Sequence, residues 1–427
     1  MLTVIKKDGT RESFDIKKIF TAIEKSAERI CSTLTKKDRE NFEDSIYSYL
    51  SDSPIWKEYI ETTDIHSAVI FCLRKINRND IADSYQEYRD YKTSYAKAFN
   101  ELKEYADEVL YRGDRENANY DSALISTKGS LLRGHLAKNL YTQFYLSKEE
   151  KQYIKRGDIY IHDLRDMLFN SFNCCLADFA TVMKDGFEAA NIKYTEPTSA
   201  YVAINLIGDL VLMTAPNQFG GMTVPEIDKT LLPYCYKTLE KGKKELADFF
   251  NIQGSFESAY VWHKLERELE QGFQALELKL NSIASARGDY PFSTITFGGW
   301  NAIENRTELD NKILALIDKA ILKQRIKGHG GLPVVFPKLV YLWDEDLIKE
   351  NKYAKEVFKE CVKCCAKRQY PDMLSLTGSP ETNAVAQQYL ESNRKVIVSP
   401  MGCRAFLSPY KDDKIGFIAV GRCNIGR

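Results

Sequence analysis

The sequence predicts an α/β protein in which a small, mainly helical unit precedes a much larger one. Two observations carry this prediction. Apolar extended segments alternate with longer helical stretches between about residues 157 and 367. Ahead of them, the chain opens on a hairpin signal and continues in helical patterns over residues 1 to about 92. At 427 residues it can bury a large core, and length alone suggests two or three domains. Its 60 Lys and Arg residues balance 60 Asp and Glu, so no net field draws the whole molecule to nucleic acid or an anionic membrane. No run approaches the roughly 18 uninterrupted apolar residues of a membrane span. The first charges follow the first apolar residues, the wrong order for a signal peptide. We therefore expect a cytoplasmic protein with no membrane contact and no direct nucleic-acid binding.

In the first unit, Leu2-Thr-Val-Ile5 reads as a strand, Lys7-Asp-Gly-Thr10 as its turn and Arg11-Glu-Ser-Phe14 as the returning strand. Asp15 caps a helix carrying Ile16, Ile19, Ile23 and Ala27 at helical spacing. A second helix spans about 37–50, and a third starts near Thr63 with Ile65, Val69, Ile70 and Leu73. A fourth, capped by Asn79 or Asp80, places Ile81, Tyr85 and Tyr88 before Arg89. Lys6, Lys7 and Arg11 on the hairpin, with Lys17 and Lys18 on the first helical turn, could hold a polyphosphate. A solvated, charged hairpin also accounts for them.

The larger unit begins with a helical run to about Leu110, a polar segment through Asn117, Asn119, Asp121 and Ser122, and a helical pattern over 131–144. Ser147-Lys-Glu-Glu150 is a capping box. Gly157 to Asp163 reads as a short strand ending in polar groups, and Phe172-Asn-Cys-Cys-Leu176 as a second strand. Residues 203–215 are largely apolar, Gln218-Phe-Gly-Gly-Met-Thr223 is glycine-rich, and Pro225-Glu-Ile-Asp228 starts a helix with negative charge at its positive end. Helices over about 229–249, 257–285 and 351–367 separate the extended segments 290–297 and 332–341. Gly220-Gly221 matches neither a dinucleotide fingerprint nor a P-loop.

Ten cysteines in a chain of this kind suit a reducing compartment. Cys361-x2-Cys364 has no second pair to complete a four-thiolate site, so no metal ligand set is expected in this chain. Those two, with Cys31, Cys72 and Cys235, lie in helical apolar patterns and read as core residues. Cys174 and Cys175 are adjacent in a strand and so face opposite ways, one able to meet a cavity and the other a helix layer. Cys403 sits between Gly402 and Arg404, in a permissive and electropositive setting between two strands. Asn173 and Asn424 could orient a substrate hydroxyl through their amides. Burial in a core and a tight loop account for the same cysteines. Of five scattered histidines, His162 at a strand end is the best candidate for a site imidazole.

Two resemblances join these residues. Val4-Ile-Lys-Lys-Asp-Gly-Thr-Arg-Glu12, followed by a helical hairpin ending in Tyr85-x-x-Tyr88-Arg89, resembles an ATP-cone, a nucleotide-sensing regulatory domain. Beyond it, Tyr160-Ile-His-Asp163, Phe172 to Leu176, Gln218 to Gly221, Pro291 to Phe297, Phe336-Pro-Lys338, Lys367 to Asp372, Met401-Gly-Cys-Arg404 and Gly421 to Gly426 run in the order found in anaerobic, class III ribonucleoside-triphosphate reductases. The resemblance implies an incomplete ten-stranded glycyl-radical-enzyme-type α/β barrel with a finger loop, with the ATP-cone over 1–92 and the N-terminal portion of the catalytic barrel over 93–427.

By resemblance, Cys403 on the finger loop becomes the thiyl that abstracts the ribose 3′ hydrogen. Cys174 faces it from a barrel strand, Asn424 helps hold substrate or formate, and Asn173 and His162 line or support the site. Ribonucleoside triphosphates are the substrates, formate the reductant and ATP or dATP the allosteric effectors. Tyr160 replaces the first histidine of the family's His-x-His-Asp, and Cys423 stands where asparagine is more usual. The family's C-terminal glycyl-radical loop and zinc site have no counterpart in these residues. The resemblance therefore implies a complementary C-terminal polypeptide carrying both, a radical S-adenosylmethionine activase, and a homodimer of the complete enzyme. Alone, such a chain is expected to be inactive and poorly stable. The rival readings are an inactive nucleotide-binding or regulatory half-reductase and a structural ATP-cone adaptor.

Overall fold

The computed structural model describes all residues except 1, 7, 52–58, 112–122, 162–163, 170–171, 190, 219, 252–257, 286–287, 402–405, 408–409, 413–415, 419 and 424–427. Beyond Met401 it describes backbone only. The chain divides into two compact units, Met1–Glu104 and Tyr105–Arg427.

In the first unit, β1 (Thr3–Ile5) pairs antiparallel with β2 (Arg11–Ser13). The turn is closed locally. Gly9 takes φ +81°, and Asp8 Oδ1 accepts from the Thr10 amide and hydroxyl at 3.0 and 2.7 Å. α1 (Ile16–Arg29) is capped by Asp15, which accepts from the Lys17 amide at 2.9 Å. α2 (Lys36–Ser51) follows, then β3 (Tyr59–Glu61), which pairs parallel with β1. β3 is too short to show a period in sequence. α3 (Thr62–Lys75) and α4 (Asn79–Tyr111) complete the core: Ile19 and Ile23 meet Phe42, Ile46, Ile60, Val69 and Leu73. Ile23 alone, fully removed from water, contributes about 2 kcal/mol of transfer free energy. Cys31 departs from expectation. α1 ends before it, and Cys31 takes a left-handed turn (φ +52°) that leaves it exposed.

The second unit starts with α5 (Ile125–Leu140) and α6 (Lys148–Arg156), the latter with its capping box formed: Glu150 N donates to Ser147 Oγ, and Ser147 N to Glu150 Oε2. Gly157 ends α6 in the left-handed region. The strand expected over 157–163 does not appear in its described part. After that helix stop, Tyr160 is 83% exposed and lies outside the strands.

Then come β4 (Phe172–Leu176), α7 (Phe179–Asp185), a small hairpin of β5 (Phe187–Ala189) and β6 (Ile192–Tyr194), α8 (Ala200–Thr214), β7 (Met222–Val224), α9 (Ile227–Phe250) and α10 (Ala259–Ser282). β8 (Ser293–Phe297), α11 (Glu308–Lys327), β9 (Lys338–Trp343), α12 (Glu345–Glu350), α13 (Lys352–Arg368), β10 (Asp372–Ser375) and α14 (Ala384–Glu391) follow. The chain closes with four short strands, β11 (Ser399–Pro400), β12 (Phe406–Leu407), β13 (Tyr410–Asp412) and β14 (Gly416–Ile418), and then β15 (Val420–Cys423).

Six strands form one sheet in the order β10-β9-β8-β7-β4-β15. The first five are mutually parallel and β15 runs antiparallel to β4. The helical crossovers that parallel pairing demands cover one face. Into that layer point Cys175, Met222, Val224, Ile295, Phe297, Leu339 and Tyr341, packed with Ile204, Ile207, Leu231, Leu269, Ile313 and Ile321 from the helices. α8 is central to it. Residues Ala200–Asn217 are long and apolar enough to cross a membrane by composition, but Ile204, Ile207 and Val211 pack against α9 and α10. Strand β9 begins only at Lys338, later than the expected segment 332–341, because Pro333 and Pro337 have no N–H for the ladder.

Candidate functional site

The opposite face of the sheet is chemically different. Register puts Leu176 beside Thr223, and Thr223 beside Thr294. Residues paired this way share a face, so Cys174, Leu176, Thr223, Thr294 and Thr296 lie opposite the helix layer. Thr223, Thr294 and Thr296 are all buried, and among the described residues Thr294 Oγ1 has no hydrogen-bond partner. The threonine hydroxyls make this face more polar than the one packed on the helices, although Ser293 Oγ on that other face also lacks a partner among the described residues.

Cys174 is the thiol on that face. It is 1% exposed and packs with Leu176 and Met401. The Gly221 amide donates to Cys174 Sγ at 3.3 Å, while the Cys175 amide donates to the Gly221 carbonyl at 3.0 Å. Gly221 thus holds β4 through both its amide and its carbonyl. A Cβ on Gly221 would collide with the Phe292 ring and lie 2.9 Å from the Phe292 carbonyl. Cys175, on the other face, has its thiol pushed up to about 12 by burial, with the neighbouring Cys174 adding to the shift.

Met401 belongs to the segment that approaches Cys403. β11 pairs antiparallel with β12, Pro400 opposite Phe406. The Thr223 hydroxyl donates to the Pro400 carbonyl at 3.0 Å and ties β11 to β7. On the other side of β4, Arg422 stands opposite Cys174 and Cys423 opposite Phe172.

The structure therefore brings together Cys174, the backbone of Asn173, the strand that precedes Cys403 and the strand that precedes Asn424. Cys403, Asn424, His162 and Lys7 themselves lie outside the described residues, as does the side chain of Asn173. Sequence reasoning missed Thr223, Thr294 and Thr296. Their alternation with Val224, Ile295 and Phe297 was the available signal. Among the described residues no group of three or more His, Cys, Asp or Glu side chains is placed to hold a metal ion.

In the first unit, Lys6 and Lys18 both reach Glu12 at 2.8 Å. Their hydrogen bonds, that of Lys18 foremost, hold the Glu12 carboxyl below its ordinary range. The Arg11 guanidinium lies 5.1 Å over the Tyr59 ring, and Lys17 is exposed. A second group was missed in sequence. His66 Nδ1 is 2.5 Å from the Tyr85 hydroxyl, and His66 Nε2 meets the Arg89 guanidinium. Burial pushes the Tyr85 hydroxyl up to about 12 and lowers Arg89.

A family model described as anaerobic ribonucleoside-triphosphate reductase matches residues 116–427. The chain belongs to this reductase family. A second model, described as an ATP cone domain, matches residues 2–94. The anaerobic ribonucleoside-triphosphate reductase of Enterobacteria phage T4 is 34% identical over 325 residues, 73% of this chain and 48% of that protein. Its namesake from Escherichia coli (strain K12) is 29% identical over 437 residues, 99% of this chain and 57% of that one. The crystal structure of the anaerobic ribonucleotide reductase from Thermotoga maritima in complex with dATP and CTP aligns with a TM-score of 0.44 at 16% identity, covering 67% of this chain and 49% of that one. This member of the reductase family spans about half the length of the curated relatives it matches.

Proposed function

We propose that this chain supplies the ATP-cone (1–92) and the N-terminal part of the catalytic barrel (93–427) of a cytoplasmic anaerobic ribonucleoside-triphosphate reductase. The observation that carries the reading is the buried Cys174 thiol on a polar inner sheet face, within the residues matched by the reductase family model. In this reading a Cys403 thiyl removes the ribose 3′ hydrogen atom, which labilises the 2′ hydroxyl so that it leaves as water. Cys174 donates hydrogen during that loss, and Asn173, Asn424 and His162 orient the hydroxyl or formate. Overall, one ribonucleoside triphosphate, one formate and one proton yield the deoxyribonucleoside triphosphate, carbon dioxide and water. A glycyl radical from a complementary C-terminal polypeptide, formed by a radical S-adenosylmethionine activase, would supply the oxidising equivalent. A water-excluding cavity protects the radical from quenching.

ATP or dATP binds the first unit through the basic residues of the hairpin segment and first helical turn, Lys6, Lys7, Arg11, Lys17 and Lys18. Displacement of Glu12 by a polyphosphate would free two ammonium groups for the ligand.

The test is isolation of the native complex followed by anaerobic assay with formate and activase. Deoxyribonucleotide formation that disappears in Cys403→Ala supports the reading. Turnover that survives that substitution refutes it, and a complex without a complementary barrel half favours an inactive regulatory half-reductase.

A further inference from the structure

Strand β7 makes two contacts on the Cys174 face that no part of the reaction above uses. Its entrance, Gly221, donates an amide hydrogen to Cys174 Sγ at 3.3 Å, and Thr223, two residues on, donates its hydroxyl to the Pro400 carbonyl at 3.0 Å. Thr223 is 0% exposed, so breaking its bond to the Pro400 carbonyl would leave a buried hydroxyl without that partner. The next residue, Met401, is 1% exposed and closes the cluster over Cys174 and Leu176.

We infer that Thr223 is a positioning residue, a latch whose bond to the Pro400 carbonyl holds the neighbouring Met401 side chain against the buried Cys174 thiol. The geometry makes the two β7 contacts cooperate. Gly221 holds the sulfur itself, and Thr223 holds the residue before Met401. Neither contact needs a ligand. The chemical sense is that Cys174 stays shielded from solvent and oxidants while Met401 is held in place. Displacement of Met401 would uncover it. Cysteine is the one residue in the cluster whose exposure has a direct chemical readout. The catalytic importance of the seal rests on the proposed reductase reading, but the latch itself does not.

The experiment uses the full chain and no turnover. Folded protein is treated with iodoacetamide, and the alkylation rates of Cys174 and Cys175 are followed by mass spectrometry of peptides. Thr223→Val keeps the shape and removes the hydroxyl, whereas Thr223→Ser keeps the hydroxyl. The expected result is Cys174 alkylation about five- to tenfold faster in Thr223→Val, the effect of one buried hydrogen bond on local opening. Thr223→Ser should remain within about twofold of the parent, on the same principle. Cys175, packed in the helix layer, should stay slow in all three proteins. An unchanged Cys174 rate in Thr223→Val overturns the latch. So does equal acceleration in the valine and serine variants, or a rise in Cys174 and Cys175 together. In the complete complex, a working latch with no dependence of turnover on Cys174 would separate the failure of the reductase reading from that of the latch.

Discussion

Cys174 and Cys175 are consecutive in one strand, yet each is buried in a different core. Cys174 packs with Leu176 and Met401, and Cys175 with the helix layer around Phe179 and Met222. The two should therefore answer differently to substitution. Cys175→Ala should cost about 1 kcal/mol in urea denaturation, and Cys175→Ser about 1–3 kcal/mol, because its hydroxyl enters an apolar layer. Neither should abolish deoxyribonucleotide formation in the assembled complex. On the proposed reading Cys174→Ala should abolish it, and should also cost about 1–3 kcal/mol because the buried Gly221 amide loses its acceptor.

Gly221 is the tightest point of the site. A Cβ there meets the Phe292 ring and carbonyl, and the Met222 amide already donates to that carbonyl at 2.8 Å. Gly221→Ala should destabilise the chain by about 1–3 kcal/mol, as overpacking generally does. Thermal unfolding measures this. A larger side chain such as Val should prevent soluble expression.

Asp228 and Asp318 form a buried acidic pair under the sheet. Asp228 Oδ2 accepts from the Gly298 amide (2.8 Å) and Trp300 Nε1 (2.9 Å), and the Lys229 amide donates to its Oδ1 (2.9 Å). Burial raises the Asp228 carboxyl too, but its three N–H donors oppose that shift, so of the pair Asp228 is the better placed to carry charge. Burial foremost, and the Asp228 charge next, raise Asp318 well above the usual carboxylate range. The folded state therefore keeps a proton that the unfolded chain loses. Stability from this group is present below the unfolded value and declines as pH rises toward the raised folded value. Urea midpoints measured from pH 5 to 8 should fall in the parent. They should fall less in Asp318→Asn, whose amide can donate to Asp228 and accept from Trp300 without ionising. A steeper fall in Asp318→Asn would contradict the assignment.

Arg325 and Glu277 pair between α11 and α10, both almost wholly buried, with Arg325 Nε donating to Glu277 Oε1 at 3.0 Å. The same guanidinium donates to the Pro337 carbonyl at 2.5 Å, just before β9 begins. Glu277→Ala should cost about 3–5 kcal/mol by leaving that cation unpaired. Replacing both residues by hydrophobic ones of similar volume should cost much less. A double-mutant cycle in urea separates the two outcomes.

For the nucleotide site, Lys6→Ala combined with Lys18→Ala should weaken ATP binding about tenfold or more, since charge-assisted contacts to phosphate are the strong ones. Isothermal titration on the full chain reads this directly. Glu12→Gln should leave binding equal or tighter, because it releases both ammonium groups from a competing carboxylate.

Much of the local structure was legible before any tertiary contact. Asp15, Ser147-x-x-Glu150 and the Asp8-Gly9 turn act through neighbours in the chain, and each forms as the residue types require. The opposed burial of Cys174 and Cys175 also follows from strand geometry alone. Other elements left no local trace. α11 buries Ile313, Leu314, Ile317, Ile321 and Leu322 around much of its circumference, so it lacks a clean amphipathic stripe. β7 and β10 are three and four residues long, too short to show a period. Cys31 was misread because two residues past a helix end the chain turns, which reverses what the helical pattern implies.

The sequence by itself determined the order of the motifs, the caps and the reductase resemblance, because those depend on residue identity and short spacing. Only the tertiary structure decided which face of β4 is polar, that β15 returns antiparallel beside Cys174, and that Thr223 reaches Pro400 across 177 residues of chain. Strand register and long-range hydrogen bonds are set by the packing of whole layers, and no local window contains that information.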